Sequence, residues 1–342
     1  MRPNDIALAL EALIPTRRAV YLWGPPGTGK TSLVTQACQR LGLKVLDLRA
    51  VLLDPVDLRG LPVPNGEVVH WKPPAFLPRK GQDNGKGVIF VDELAQAPSA
   101  VQAAFLQGIL DHRIGETELD PHWTWVAASN RQEDRAGTHR LISPLLNRFL
   151  HLDLDVSNED WQSWAAQTGI MPEVRSFLHF RPALLFDFKP EKGDRAFPTP
   201  RSWSFVSDVL PATPGLLLHP VVAGCVGDGP AAEFIAFVQT YRELPDVDAL
   251  LTNPDKGKVP AKPAVLYALC GAIAERCRNG ADTLRNNAVK YLLRLPDEFA
   301  VLGMKEAIAC TLTKKQDSPM LTVPACIDFT RKHRELLVQV RV

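Results

Sequence analysis

The sequence predicts an α/β fold: a P-loop three-layer parallel sheet, followed by an all-α lid and a helical C-terminal extension. Three observations carry this. Short apolar runs alternate with helical stretches between residues 20 and 155. A glycine-rich phosphate-loop pattern directly follows the first of those runs. Beyond Asp155 the strand signature gives way to helical periodicity. The expected division is 1–155 for the nucleotide-binding core, 156–245 for the lid and 246–342 for the extension.

The elements follow in order. "MRPNDIALALEALIP" carries Asp5 and Glu11 within its apolar pattern, which fits a short amphipathic helix and excludes a signal-peptide core. "AVYLW" (19–23), "KVLDL" (44–48), "GVIFVD" (87–92), "TWVAAS" (124–129) and "FLHLDLD" (149–155) are the strands. Three of them are nearly continuous apolar runs, as strands buried on both faces should be. "TSLVTQACQRL" and "SAVQAAFLQGIL" are helices between them, and the alternation argues a parallel sheet covered by helices. Two stretches interrupt it. Residues 54–80 hold six prolines around "NGEVVHW", whose Asn65-Gly66 is a hairpin turn signal, so a non-helical insert is expected. Residues 113–123, "RIGETELDPHW", read as a second, smaller hairpin. "SNEDWQSWAAQTG", "PEVRSFLHFRPALLF", "PRSWSFVSDVL" and "GPAAEFIAFVQTYREL" are lid helices, with a loop at 187–200, and helical pattern continues from about 246. Trp161, Trp164 and Trp203 fall at core-like spacing on these helices.

Composition narrows the function classes. Apolar residues make up 46% of the 342, enough for a sizeable core, and the formal net charge is +1. Neither sign dominates, so bulk binding to nucleic acid or to an anionic membrane has no compositional support. Six scattered cysteines without a C-x-x-C pair read as reduced residues of a cytoplasmic protein. The eight histidines form no zinc-ligand spacing. No apolar run approaches the roughly 18 residues of a membrane span.

The chemistry is concentrated in "YLWGPPGTGKTS": Gly24, Pro25, Pro26, Gly27, Thr28, Gly29, Lys30, Thr31 and Ser32. Glycines let the backbone wrap a phosphate while N–H groups converge at a helix N-terminus. Lys30 is expected to reach the β- and γ-phosphates of ATP, and the Thr31 hydroxyl to ligate Mg²⁺. "GVIFVDE" ends with Asp92 and Glu93 at the carboxyl edge of the sheet, where open α/β sheets bind ligands. Asp92 is expected to hold Mg²⁺ and Glu93 to act as general base on the attacking water; capping of the next helix is the plainer role for the pair. Asn130, at the end of "VAASN", can orient that water or contact the γ-phosphate, or simply serve a strand-end turn.

These pieces in this order, with Arg148 in "SPLLNRF" and Pro200-Arg201 after them, resemble an AAA+ ATPase. Within that superfamily the chain resembles the MoxR group, which carries an insert in helix 2 and a hairpin before the sensor-1 strand. The stretches 54–80 and 113–123 fall in those places. "DELAQAPSAVQAAFLQGILDHRIG", "SNRQEDRAGTHRLISPLLNRFLHLDLD" and "FPTPRSWSFVSDVL" carry the likeness, which covers about 1–245. The chain departs from the pattern at Ala95 and Gln96, where MoxR-group members commonly have Asn and a basic residue. The resemblance implies that Arg148 is an arginine finger serving the neighbouring subunit and that Arg201 is sensor 2. A guanidinium can bind two phosphoryl oxygens at once. Arg135 and Arg140 are further interface candidates.

The resemblance also implies a homo-oligomeric ring, a hexamer, acting with a von Willebrand A-domain partner on a client protein. In such a ring the insert carries His70, Trp71, Lys72 and Phe76, and its aromatics either grip a client or pack the insert onto the core. The function expected is ATP-driven remodelling, activation or assembly of a partner protein. The alternative is a nucleic-acid motor or restriction-type NTPase, which the balanced charge and the lack of a basic-aromatic groove disfavour. A static nucleotide switch is a third option, against which Lys30, Glu93 and Arg148 speak together.

Overall fold

The computed structural model describes residues 1–82, 84–134, 141–191, 193–242, 244–313 and 317–334. They form two compact units: 1–157 with 189–193, and 158–188 with 194–342. Arg135 and Arg140 lie outside the described residues.

The first unit runs α1 (Pro3–Leu13), β1 (Val20–Trp23), α2 (Lys30–Arg40), β2 (Lys44–Arg49), α3 (Pro55–Arg59), β3 (Leu61–Asn65) and β4 (Val68–Lys72). It continues with β5 (Gly87–Asp92), α4 (Ser99–Asp111), β6 (Arg113–Ile114), β7 (Thr117–Glu118), β8 (Trp123–Ser129), α5 (Ser143–Leu146) and β9 (Leu150–Asp153). Five strands make one parallel sheet in the order β2-β5-β8-β1-β9. These are the five apolar runs expected.

Strand alternation sends side chains to two cores. Val20 and Leu22 of β1, Val88 and Phe90 of β5, and Val126 and Ala128 of β8 meet Ile6 and Leu10 of α1 and Val34 and Cys38 of α2. Tyr21, Ile89, Val91, Trp125 and Ala127 point the other way, to Val101 and Phe105 of α4. Each large side chain so buried is worth about 1.5–3 kcal/mol, and the two cores fix the three-layer arrangement that the sequence predicts. Its consequence for function is that β1, β5 and β8 end on one edge.

The insert holds one correction. A non-helical stretch is expected over 54–80, but Pro55–Arg59 is helical. Pro55 occupies the first helical position, where its missing N–H costs nothing. Asp54 and Asp57 form a reciprocal capping box around it. The hairpin signal behaves as read: β3 and β4 pair antiparallel from Leu61↔Lys72 to Asn65↔Val68. β6 and β7 form the second hairpin.

The second unit is helical: α6 (Asn158–Thr168), α7 (Pro172–Phe180), α8 (Pro200–Val209), α9 (Leu218–Val226), α10 (Asp228–Arg242), α11 (Val247–Thr252), α12 (Pro263–Arg278), α13 (Asp282–Leu292), α14 (Asp297–Thr311) and α15 (Ala325–Lys332). Its largest core joins α11 through α15 with Ala166 of α6. Trp161 and Trp203 are buried, and the Trp203 indole donates to Leu184 O at 2.7 Å. An ion cluster is enclosed in this unit. Arg175, fully buried, donates to Glu306 at 3.0 Å, to Glu275 at 3.3 Å and to Cys310 Sγ at 2.9 Å. His179 Nε2 donates to the second oxygen of Glu306 at 2.7 Å.

Among the described residues no helix is long and apolar enough to cross a membrane.

Candidate functional site

The phosphate loop leaves β1 at Trp23 and enters α2 at Lys30. Gly29 caps that helix with φ +88°, a left-handed conformation that a side-chain-bearing residue resists. The Thr28 hydroxyl donates to Pro25 O at 2.8 Å and closes the loop. Lys30 extends its ammonium across it, donating to Gly24 O at 2.7 Å, Pro25 O at 2.9 Å and Asn130 Oδ1 at 2.9 Å. Thus Lys30 and Asn130, a hundred residues apart, share one contact.

The second half lies alongside. Thr31 Oγ1 donates to Asp92 Oδ2 at 2.9 Å, and the other Asp92 oxygen accepts the Glu93 N–H at 3.0 Å. Glu93 has φ +58°, a left-handed backbone for a residue with a long side chain. Such a conformation costs on the order of 1–3 kcal/mol and persists only where neighbours hold it. A short 3₁₀ turn, Leu94–Gln96, follows, closed by Gln96 N to Glu93 O at 3.0 Å. Glu93 therefore does not cap a long helix; it stands at a kink at the strand's end.

The residues fit the groups that the motif implies. The α2 N-terminus supplies converging N–H donors and Lys30 a mobile cation, both suited to phosphate oxygens. Thr31 and Asp92 offer an all-oxygen donor pair, the chemistry a hard divalent cation takes.

Two residues that belong to no motif brace this edge. Arg131 directly follows Asn130. Its guanidinium donates to Leu154 O at 3.0 Å and to Asp155 Oδ1 at 2.9 Å, which ties the ends of β8 and β9 together. These contacts hold the Asp155 carboxyl below the usual range. Asp134 accepts the Arg131 N–H at 2.9 Å, and burial raises its carboxyl. The acidic run at 153–155 was the available signal for Arg131.

Arg148 is placed elsewhere. It precedes β9, and the register Val20↔Leu150 sets the start of β9 level with the start of β1. Its backbone therefore lies at the amino edge of the sheet, whereas Gly24, Asp92 and Asn130 follow the carboxyl edge. Its Nη1 donates to Pro144 O in its own turn, and its Nε is buried with no hydrogen-bond partner among the described residues. That turn is fastened to the sheet: Trp23 Nε1 donates to His151 Nδ1 at 2.9 Å, and His151 Nε2 donates to Leu146 O at 2.8 Å. The two bonds together require the neutral Nε2–H tautomer. Arg201 stands exposed in the first turn of α8, in the second unit, behind the capping box of Thr199 and Ser202. In the insert, Trp71 is half-buried under the Arg59 guanidinium, 3.9 Å from its ring, so packing accounts for it. Phe76 is 42% exposed.

Residues 20–153 match the family described as "ATPase family associated with various cellular activities (AAA)". This part of the chain is similar to AAA ATPase domains, and its sheet and flanking helices have the AAA+ fold. Midasin of Dictyostelium discoideum is 30% identical over 155 residues, 42% of this chain and 3% of that protein. A replication factor C large subunit of Ignicoccus hospitalis is 50% identical over 41 residues, 12% of this chain and 9% of that one. The chain thus spans a small fraction of these relatives' lengths. Among solved structures, a RuvB mutant of Thermotoga maritima has a TM-score of 0.40 at 21% identity, covering 85% of this chain and 86% of that one. NtrX of Brucella abortus in complex with ADP has a TM-score of 0.42 at 13% identity, covering 97% and 68%.

Proposed function

We propose that this chain is a MoxR-like AAA+ ATPase, hydrolysing ATP in an oligomeric ring, hexameric in number, to remodel, activate or assemble a partner protein. The partner class proposed is a von Willebrand A-domain protein. The observation that carries the hydrolytic part is the convergence of Lys30, Thr31, Asp92, Glu93 and Asn130 in a single chain, with Arg148 on the opposite sheet edge. One subunit supplies a cradle and a base; the arginine comes from the next.

In this mechanism Lys30 exchanges its carbonyl partners for phosphate oxygens. Thr31 and Asp92 would hold Mg²⁺, which when bound would supply charge neutralisation at the phosphates. Glu93 takes the proton of the attacking water on its carboxylate, and the Asn130 amide orients that water or the γ-phosphate. Arg148 of one subunit places its guanidinium against the neighbour's transferring phosphoryl group, a contribution of roughly 10³–10⁵ in rate. Arg201 is proposed as the sensor-2 cation.

The test mixes Arg148→Ala with Lys30→Ala protein, each nearly inactive alone. Recovered hydrolysis in mixed assemblies supports action between subunits. If mixed assemblies form and no activity returns, Arg148 does not act in trans. The short match to a replication factor C subunit favours a second reading, a nucleic-acid-dependent NTPase. Hydrolysis stimulated by DNA would support that reading over the chaperone one. Nucleotide-dependent capture of a von Willebrand A-domain protein in DNA-free solution would support the reverse.

A further inference from the structure

The groups proposed for hydrolysis stand on three chain segments, and one buried residue bonds to all three through its side chain and its backbone. Ser129 is the last residue of β8, 1% exposed, directly before Asn130. Its hydroxyl accepts the N–H of Ala95, two residues beyond Glu93, at 2.8 Å. It donates to Ala128 O at 2.7 Å. A hydroxyl has one proton, so in the 2.7 Å contact with Tyr21 the phenol is the donor. The Ser129 carbonyl, in turn, accepts the N–H of Gly24 at the entrance of the phosphate loop, at 3.3 Å. Tyr21 lies on β1, three residues before Gly24, and is fully buried. Burial raises its phenol far above the usual range, so it stays a donor.

We infer that Ser129, backed by Tyr21, is the positioning pivot of the hydrolytic site, setting the Glu93 kink against Asn130 and the phosphate loop. The inference rests on the general-base reading of Glu93. Its physical basis is the left-handed backbone of Glu93, which needs neighbours to hold it. The Asp92 carboxylate secures one side of the kink, through the Glu93 N–H. Ser129 secures the other, through the Ala95 N–H. Without the Ser129 hydroxyl, both the Ala95 N–H and the Tyr21 hydroxyl lose a buried partner. The turn then has reason to shift, and a shift of about 1 Å in a reacting group can cost on the order of 10²-fold in rate. The Lys30 contacts to Gly24, Pro25 and Asn130 do not involve the Ser129 hydroxyl, so nucleotide binding should survive.

The experiment measures ATP hydrolysis and nucleotide affinity for Ser129→Ala, Ser129→Thr and Tyr21→Phe in the full chain, with assembly size checked for each. The expected result is a roughly 10- to 100-fold fall in kcat for Ser129→Ala with KM and Kd within about twofold. Tyr21→Phe should show a smaller fall of the same kind, and Ser129→Thr should recover activity through its hydroxyl. A purely structural role would lower the folded fraction and leave kcat per folded, assembled subunit unchanged. Folded Ser129→Ala and Tyr21→Phe proteins with wild-type kcat would overturn the pivot. If Ser129→Ala does not fold, Tyr21→Phe decides the matter alone. Glu93→Gln measured in parallel separates the two claims. Full turnover in Glu93→Gln removes the base reading itself. An inactive Glu93→Gln beside active Ser129→Ala and Tyr21→Phe overturns the pivot only.

Discussion

A lysine that already holds three oxygens cannot be an inert point charge. Lys30 binds Gly24 O, Pro25 O and Asn130 Oδ1, so in the proposed mechanism its ammonium would reach a phosphate by exchanging partners. Lys30→Ala should therefore lose nucleotide affinity itself, read by titration with a fluorescent ATP analogue. Glu93→Gln should behave differently: it keeps size and hydrogen-bonding capacity and loses only basicity. We expect its turnover to fall by roughly 10²–10⁴-fold with affinity retained, and unchanged phosphate release would exclude Glu93 as the base. At this scale the motif residues were legible in the sequence because phosphate chemistry constrains them to fixed spacings. Ser129 and Tyr21 were not. A serine and a tyrosine inside apolar strands look like ordinary core tolerance until the register brings them together across β8 and β1. Arg148 was legible as a candidate, but its sheet edge follows from strand order, which no local pattern states.

Elements differ in how far their signals reach. The central strands β1, β5 and β8 were readable because both faces are buried, so nearly every residue is apolar, whereas β2 and β9, largely exposed or half-buried, show an alternating pattern instead. α3 departs from the expected non-helical insert because proline breaks a helix interior but suits its first position, and Pro55 after Asp54 starts one. Gly60 ends that helix with φ +90°, and a Cβ there would lie 2.0 Å from Lys72 O. Gly60→Ala should therefore displace the β3–β4 hairpin, seen as faster proteolysis of the insert with little loss of α/β core stability. In the second unit, α7 carries Arg175 among apolar residues with no spacing that marks its role. Its partners come from α12 and α14, about a hundred residues later. Replacing Arg175 with Met leaves the buried Glu306 without its guanidinium partner and should destabilise the unit by about 3–5 kcal/mol in urea unfolding. Burial alone would raise the Glu306 carboxyl, but His179 and Arg175 outweigh it and hold it below the usual range. A carboxyl lowered in the folded state stabilises fully above its unfolded pKa, about 4.3, and the benefit is lost as pH falls through the folded value. Acid unfolding of this unit should thus begin below about pH 4.3, and Glu306→Gln should flatten that dependence.

At the scale of the whole molecule, the two edges of one sheet carry the two halves of the proposed catalysis. If each cradle takes its arginine from a neighbour, specific activity should rise with protein concentration and reach a plateau as assembly completes, which dilution series with parallel sizing would measure. Activity proportional to protein at all dilutions would argue that each chain works alone. The opposed placement of Gly24 and Arg148 has one more consequence. If a subunit gives from one edge and receives at the other, it has two unlike faces, and association would be head-to-tail and have a direction. Such a contact does not specify its own end: it stops only when the rotation per subunit closes on itself, and otherwise continues as a helical filament. In a closed ring every arginine finds a cradle. In an open filament the two terminal subunits each waste one half, so filament length, read by electron microscopy, would set the fraction of working sites.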